Sequence, residues 1–207
     1  MKAQFQYKIL LMNKYVAELL GTFVLALTVS ISISLGAKSP LPTPVMAAFA
    51  LGVCVYTLGA ISGTHINPAI TIGLAAIGKI GPKDAVIYLV AQFAGGGVAM
   101  AVARTLITPP AVTASDNAVV FCAELLGAFL LAIGVASVVH DKAPGAAAGL
   151  TIGGSLLLGV SAASAASNGV LNPAVALAIG SVSISYVLGP IVGAVIAMLL
   201  YNKLLAR

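Results

Sequence analysis

Two stretches of this chain, Ser39–Gly78 and Ala143–Asn202, contain no Asp, Glu, Lys or Arg. About 20 helical residues, rising 1.5 Å each, cross the hydrocarbon of a bilayer. Each stretch therefore holds more apolar chain than one crossing needs, and little in it would face water. The rest of the 207 residues agree: 60% are hydrophobic and 7% charged, against roughly 25% charged in a soluble domain. So little polar surface excludes a soluble enzyme or a nucleic-acid binder. The net charge of +5 comes from a handful of residues; in a membrane protein it reports orientation, not affinity for nucleic acid. Glycine is abundant but follows no Gly-X-Y period, which excludes collagen. Cys54 and Cys122 lie in apolar runs and read as inert thiols, with no disulfide scaffold and no metal site.

Charges and turn residues divide the chain into six expected spans, near 13–35, 43–61, 84–106, 118–140, 145–164 and 184–204. The turn signals are Ser39-Pro40-Leu41-Pro42-Thr43-Pro44, Gly81-Pro82, Thr108-Pro109-Pro110 and Ala143-Pro144-Gly145. Met1–Lys14 reads as a short cytoplasmic tail rather than a signal peptide, because the run that follows is long and contains Glu18. With both termini inside, Lys2, Lys8, Lys14, Lys79, Lys83, Lys142, Lys203 and Arg207 face the cytoplasm. Only Lys38 and Arg104 lie near the other side. Tyr15, Tyr88, Tyr186 and Tyr201 are expected as anchors at the membrane interface.

Two segments are too short to span. One follows Gly63-Thr64-His65-Ile66-Asn67-Pro68-Ala69 and the other follows Asn168-Gly169-Val170-Leu171-Asn172-Pro173-Ala174. Each is about ten residues, or about 15 Å of helix, and reads as a re-entrant half-helix. The two belong to an internal repeat. Ala17-Glu18-Leu19-Leu20-Gly21-Thr22-Phe23 is echoed by Ala123-Glu124-Leu125-Leu126-Gly127-Ala128-Phe129, and Asn67-Pro68-Ala69 by Asn172-Pro173-Ala174. The expected organisation is one transmembrane domain, 1–207, with a first repeat at 13–107 and a second at 118–205. Three spans per repeat is odd, so the second repeat enters from the opposite side. Interrupted apolar segments at matching places in inverted repeats point to a binding or conduction site.

Asn followed by Pro suits a helix start, with Asn at the N-cap and Pro where a missing N–H costs nothing. Two such starts near the midplane would bring the side-chain amides of Asn67 and Asn172 to one solute oxygen. A water held there would accept from both, which interrupts a proton wire. The irregular backbone at Gly63–Ile66 and Asn168–Leu171 must face protein or water. His65 could donate to a solute or brace the first loop, and bracing is favoured. Glu18 and Glu124 are costly in a membrane unless paired. They read either as acceptors that pin the two loops or as proton-relay groups of a coupled transporter; their matched placement favours support. Small residues at Gly21, Gly95-Gly96-Gly97, Gly127, Gly149, Gly153, Gly189 and Gly193 mark close helix contacts.

These motifs, with Tyr88, Ala91-Gln92 and Gly189-Pro190-x2-Gly193, resemble the aquaporin and glycerol-facilitator family, the major intrinsic proteins, from about Lys14 to Tyr201. The resemblance implies an all-α, right-handed bundle of six tilted transmembrane helices plus two re-entrant half-helices. It implies a homotetramer with a pore through each subunit. It also implies passive passage of water or small neutral solutes such as glycerol, urea, ammonia or gases, with no cofactor, no metal and no enzymatic reaction. One position departs from the pattern. The arginine that family members carry after the second Asn-Pro-Ala is Val175 here, and Ala176 replaces the acidic residue of typical glycerol channels. The other constriction positions count back to Ala47, Val160 and Gly169, where water-selective members have Phe, His and a small residue. A ring of Ala47, Val160, Gly169 and Val175 is expected to be wide and apolar. Width favours larger neutral solutes, whereas apolarity disfavours water. Two other readings stay open at this point: a secondary transporter coupled through Glu18 and Glu124, and a structural membrane protein with a closed pore.

Overall fold

The structure, a computed structural model, describes residues 2–108 and 112–206, with side chains from residue 13 onward. Pro109 and Pro110 of the third turn signal, Met1 and Arg207 lie outside the described residues, as do the side chains of Lys2 and Lys8. Eight α-helices appear in the order α1 (Lys2–Leu35), α2 (Thr43–Ser62), α3 (Pro68–Ala76), α4 (Pro82–Leu106), α5 (Ala118–Val139), α6 (Ala148–Ala163), α7 (Pro173–Ile179) and α8 (Ile184–Leu204). Among the described residues, six helical segments are long and apolar enough to cross a membrane: Asn13–Lys38, Thr43–Ser62, Pro82–Leu106, Ala118–Val139, Gly145–Ala163 and Ile184–Leu204. The protein is a multi-pass membrane protein, an all-α bundle of six long helices with additional short ones.

The tail ahead of the first span is helical as well, since α1 already begins at Lys2. No Gly or Pro stands between Met1 and Asn13 to interrupt the helix. Prolines set the other starts: Pro44, Pro68, Pro82 and Pro173 occupy the first turns of α2, α3, α4 and α7, where their lack of an N–H is harmless.

Elements of the two halves interlock. α1 packs on α2 and α4, α5 packs on α6 and α8, and α2 meets α6. The short α3 of the first half lies on α8 of the second, while α7 lies on α4 and α1. Glycine permits these approaches. A Cβ at Gly96 would collide with the Ala174 carbonyl of α7, and one at Gly193 with the Leu125 carbonyl of α5. Van der Waals packing of this kind joins helices where lipid removes the hydrophobic drive between them.

The two ends of the bundle are told apart by their charges. Lys14 at the start of the first span forms an ion pair of 2.8 Å with Asp84 at the start of α4, and Tyr15 donates to the same carboxylate at 2.7 Å. Lys79 lies in the α3–α4 connection nearby in the sequence, so this end is called the Lys79 end. Lys38, after α1, marks the opposite end. Three tyrosines expected at the interface are instead core residues: Tyr88 is 3% exposed, Tyr186 1% and Tyr201 7%. The hydroxyls of Tyr88 and Tyr186 are taken up inside the bundle, with Tyr88 donating to Ser62 O at 2.7 Å and Tyr186 accepting from Asn168 N at 2.9 Å.

Candidate functional site

Asn67 and Asn172 are the N-caps of α3 and α7. The Asn67 Oδ1 accepts from Ala69 N, and the Asn172 Oδ1 from Ala174 N and Val175 N. Each side chain also reaches across the molecule. Asn67 Nδ2 donates to Leu171 O and Asn172 Nδ2 to Ile66 O, both at 2.9 Å. An amide nitrogen has two protons, so each asparagine keeps one N–H for a solute. Pro68, Ala69, Pro173 and Ala174 are buried behind these caps.

The loops ahead of the caps are strained. Thr64, Ile66 and Leu171 have φ of 49°, 38° and 56°, and Gly63 and Gly169 are also left-handed. Ile66 is β-branched, for which this region is an outlier, and each such residue costs roughly 1–3 kcal/mol. Buried carboxylates hold the shape. Glu18 Oε1 accepts from Ser62 Oγ (2.7 Å) and His65 N (2.9 Å), and its Oε2 from Ile66 N (2.7 Å) and Gln92 Nε2 (2.8 Å). Glu124 holds the second loop alike: Oε1 accepts from Ser167 Oγ (2.7 Å) and Val170 N (3.0 Å), and Oε2 from Leu171 N (2.7 Å). The serine hydroxyls in turn accept from Thr64 N and Gly169 N at 3.0 Å. Both carboxylates are fully buried. The four donors on Glu18 match the roughly four lone-pair sites of an ionised carboxylate.

Sequence reasoning left out two members of these brackets, Ser62 and Ser167, together with any role for Gln92. The one available signal for Gln92 was an amide in an otherwise apolar span. For Ser62 and Ser167 it was their equal distance, five residues, ahead of Asn67 and Asn172.

Between the ends runs a chain of three spaces. Toward the Lys38 end, a cavity of about 170 Å³ is lined by Ala47, Val160, Gly169 and Val175 and reaches Asn172. Among the described residues no charged side chain lines it. Gly169 owes its place to shape as well as to φ, because a Cβ there would lie 2.9 Å from Val160 O and closer still to Ser164 Oγ. Next comes a neck of about 20 Å³, touching Asn67, His65, Leu51, Leu131 and Ile152. Leu25 and Leu156 line both spaces. Toward the Lys79 end, a third cavity of about 490 Å³ shares Thr64, His65, Ile70, Val135 and Ile152 with the neck. One ordered water needs about 10–15 Å³ by a comparable measure, so the neck holds little more than a single water.

His65 does two things at once. Its backbone N–H is held by Glu18, and its Nδ1 lies 3.1 Å from Thr71 Oγ1. The ring packs edge-on against Tyr88, with centroids 5.0 Å apart, while the side chain lines both the neck and the third cavity.

Comparison with known proteins agrees with this architecture. The profile of the family described as Major intrinsic protein matches residues 6–201. The chain is 31% identical to a probable aquaporin, AqpM, of Archaeoglobus fulgidus, over 94% of this chain and 97% of that protein. It is 31% identical to the glycerol uptake facilitator protein-like 6 of Lactiplantibacillus plantarum, over 90% and 95%. Among solved structures, the aquaglyceroporin from Plasmodium falciparum superposes with a TM-score of 0.75 over 94% of this chain and 96% of that one. At 21% identity it speaks for the fold alone. The chain belongs to the major intrinsic protein family.

Proposed function

We propose that this channel admits small uncharged solutes through a mouth at the Lys38 end that does not sort them by charge or by close fit. As a member of its family the protein is a passive channel for water and small neutral solutes, not an enzyme. The observation that carries the finer reading is the roughly 170 Å³ cavity walled by Ala47, Val160, Gly169 and Val175 without a charged side chain. Arg in place of Val175 would add a fixed charge and five donors; valine adds neither. Cations are then opposed by desolvation and by the remaining amide N–H groups of Asn67 and Asn172.

The pore residues in this reading are Asn67, Pro68, Ala69, Asn172, Pro173 and Ala174 at the centre, with His65 beside them and the four mouth residues above. Glu18 and Glu124 support the loops. Saturation of Glu18 by four donors, and its burial, argue against a carboxylate that loads and unloads protons. The parallel brackets on the two loops support two repeats, 13–107 and 118–205, related by inversion. Basic residues collected at the Lys79 end favour a cytoplasmic location for that end and for both termini. A homotetramer is the assembly we infer. Its support is an apolar groove of about 520 Å³ between α2 and α6, flanked by the exposed Phe49, Val53 and Tyr56.

The test is light scattering by proteoliposomes holding native protein or Val175→Arg. Native vesicles should shrink in an osmotic gradient faster than empty ones, at a rate independent of pH or ion gradients. Val175→Arg should conduct more slowly. A Val175→Arg channel as fast as the native one would remove Val175 from the pathway, and ion-coupled native flux would revive a transporter.

A further inference from the structure

The free space falls from about 170 Å³ at the mouth to about 20 Å³ immediately beyond the two asparagines, then opens to about 490 Å³. We propose that solutes are selected in this neck, by the walls of Leu51, Leu131, Ile152 and Leu156 and by one donor, the Nε2–H of His65. The class it takes is the neutral hydrogen-bond acceptor of about water's size, water and ammonia among them. The proposal rests on the channel reading above.

The donor follows from a relay of hydrogen bonds. Glu18 Oε2 is an acceptor, so the group of Gln92 that faces it at 2.8 Å is the NH2. The second proton of that NH2 goes to Thr71 Oγ1, also at 2.8 Å. Gln92 Oε1 is left buried without a partner. Flipping the amide would satisfy nothing and would set that oxygen against the carboxylate. Thr71 Oγ1 accepts from this NH2, and we assign its single proton to His65 Nδ1, 3.1 Å away, where either atom could donate. A neutral imidazole that accepts at Nδ1 carries its proton on Nε2. No described residue partners Nε2, and His65 borders the neck.

The second half of the chain has no such relay. Counting from Asn172 as from Asn67, Val170 stands for His65 and Ala176 for Thr71. Counting from Tyr186 as from Tyr88, Pro190 stands for Gln92. The relay that sets a ring donor is thus found at the neck alone; the mouth is uncharged, with Thr43, Ser164, Asn168 and Asn172 among its lining. An N–H donor within a tight apolar collar favours a small neutral molecule with a lone pair. Ammonium and hydronium, which would approach it with protons of their own, are disfavoured. A polyol such as glycerol fits the mouth and not the collar.

The experiment compares glycerol and water permeability of reconstituted native protein, Leu51→Ala, Ile152→Ala and Leu51→Ala/Val175→Arg. Leu51 lines the neck and not the mouth. The native glycerol-to-water ratio should be low, and Leu51→Ala or Ile152→Ala should raise it several-fold. Adding Val175→Arg to Leu51→Ala should lower it again, because the arginine then narrows the mouth against glycerol as well. A ratio unmoved by both alanine variants, with water still flowing, overturns the neck and leaves the channel reading intact. Absence of water flux in folded native protein overturns both. Nitrogen-15 spectra of labelled histidine in the membrane should show His65 protonated at Nε2 and unprotonated at Nδ1, with this preference lost in Thr71→Val. A proton on Nδ1 in the native protein overturns the donor assignment.

Discussion

Asn67 and Asn172 are tied crosswise: each donates its amide to the carbonyl of the residue that precedes the other, at 2.9 Å in both directions. Each half-helix is thereby indexed against the other loop rather than against its own. A displacement of one start must pull on the other, which keeps the two asparagines in register where the mouth, lined by Asn172, gives way to the neck, lined by Asn67.

That tie predicts the outcome of Asn172→Asp. The carboxylate keeps an acceptor for Ala174 N and Val175 N but loses the donor to Ile66 O, leaving two acceptors facing each other. A buried polar group deprived of its partner costs about 1–3 kcal/mol. Water permeability should fall to that of empty vesicles, and Asn67→Asp should behave alike because Leu171 O is stranded in the same manner. Native permeability in either variant would dissociate the asparagines from conduction.

Glu18→Gln should destabilise the protein more than Glu124→Gln. A glutamine offers one oxygen and turns an NH2 toward groups that are themselves donors. Glu18 receives bonds from four donors and Glu124 from three. The melting temperature in detergent should drop for both variants, further for Glu18→Gln, with an expected loss of about 1–3 kcal/mol for each stranded pair. Folded Glu18→Gln should still conduct without ion coupling. Equal melting temperatures for native and Glu18→Gln would end its role as the loop's anchor.

Gly193→Val tests the close approach of α8 to α5. A Cβ at this position collides with Leu125 O, a backbone atom that cannot swing away as a side chain can. Overpacking of a fitted contact costs typically about 1–3 kcal/mol, and a β-branched side chain belongs at the upper end. Thermal stability in detergent should fall accordingly. Gly97→Val is the control, since nothing lies within 4 Å of a Cβ at Gly97.

A pH effect is expected at Asp116, which lies outside the spans and holds the start of α8. Asp116 accepts from Ser185 Oγ at 2.6 Å and Ser185 N at 3.0 Å. These bonds hold its carboxyl below the ordinary carboxylate range, the Ser185 hydroxyl contributing most. A group whose folded pKa is depressed lends stability above its unfolded pKa and loses it as pH falls through the folded one. Hydrogen exchange of the first-turn amides of α8, compared with the intrinsic rate at each pH, should show protection constant near neutrality and declining only below the ordinary carboxylate range. Asp116→Ala should show the weaker protection at every pH. A native profile flat down to strong acid would exclude the cap.

What was legible in the sequence followed from local physics. Charge-free runs must lie in lipid, so the six spans could be read from spacing alone, to within a few residues of the observed helices. Asn-Pro favours a helix start wherever it occurs, so the caps at Asn67 and Asn172 could be read from their own residues. Family membership was legible in the order of the motifs. The tyrosines were not: Tyr88 and Tyr186 have the composition of interface anchors, and only the helices packed around them bury them and employ their hydroxyls. Nor was the smallest of the three spaces. Counting from the motifs leads to Ala47, Val160, Gly169 and Val175, whereas the space of smallest volume lies beyond the asparagines, among Leu51, Leu131, Ile152 and His65. The bonds on His65 run through Thr71 and Gln92, six and 27 residues further along the chain, and reach Glu18 on a third helix. Spacing along one helix constrains its own caps and faces. The width of a lumen and the tautomer of a ring depend on several helices at once, and only their packing decides them.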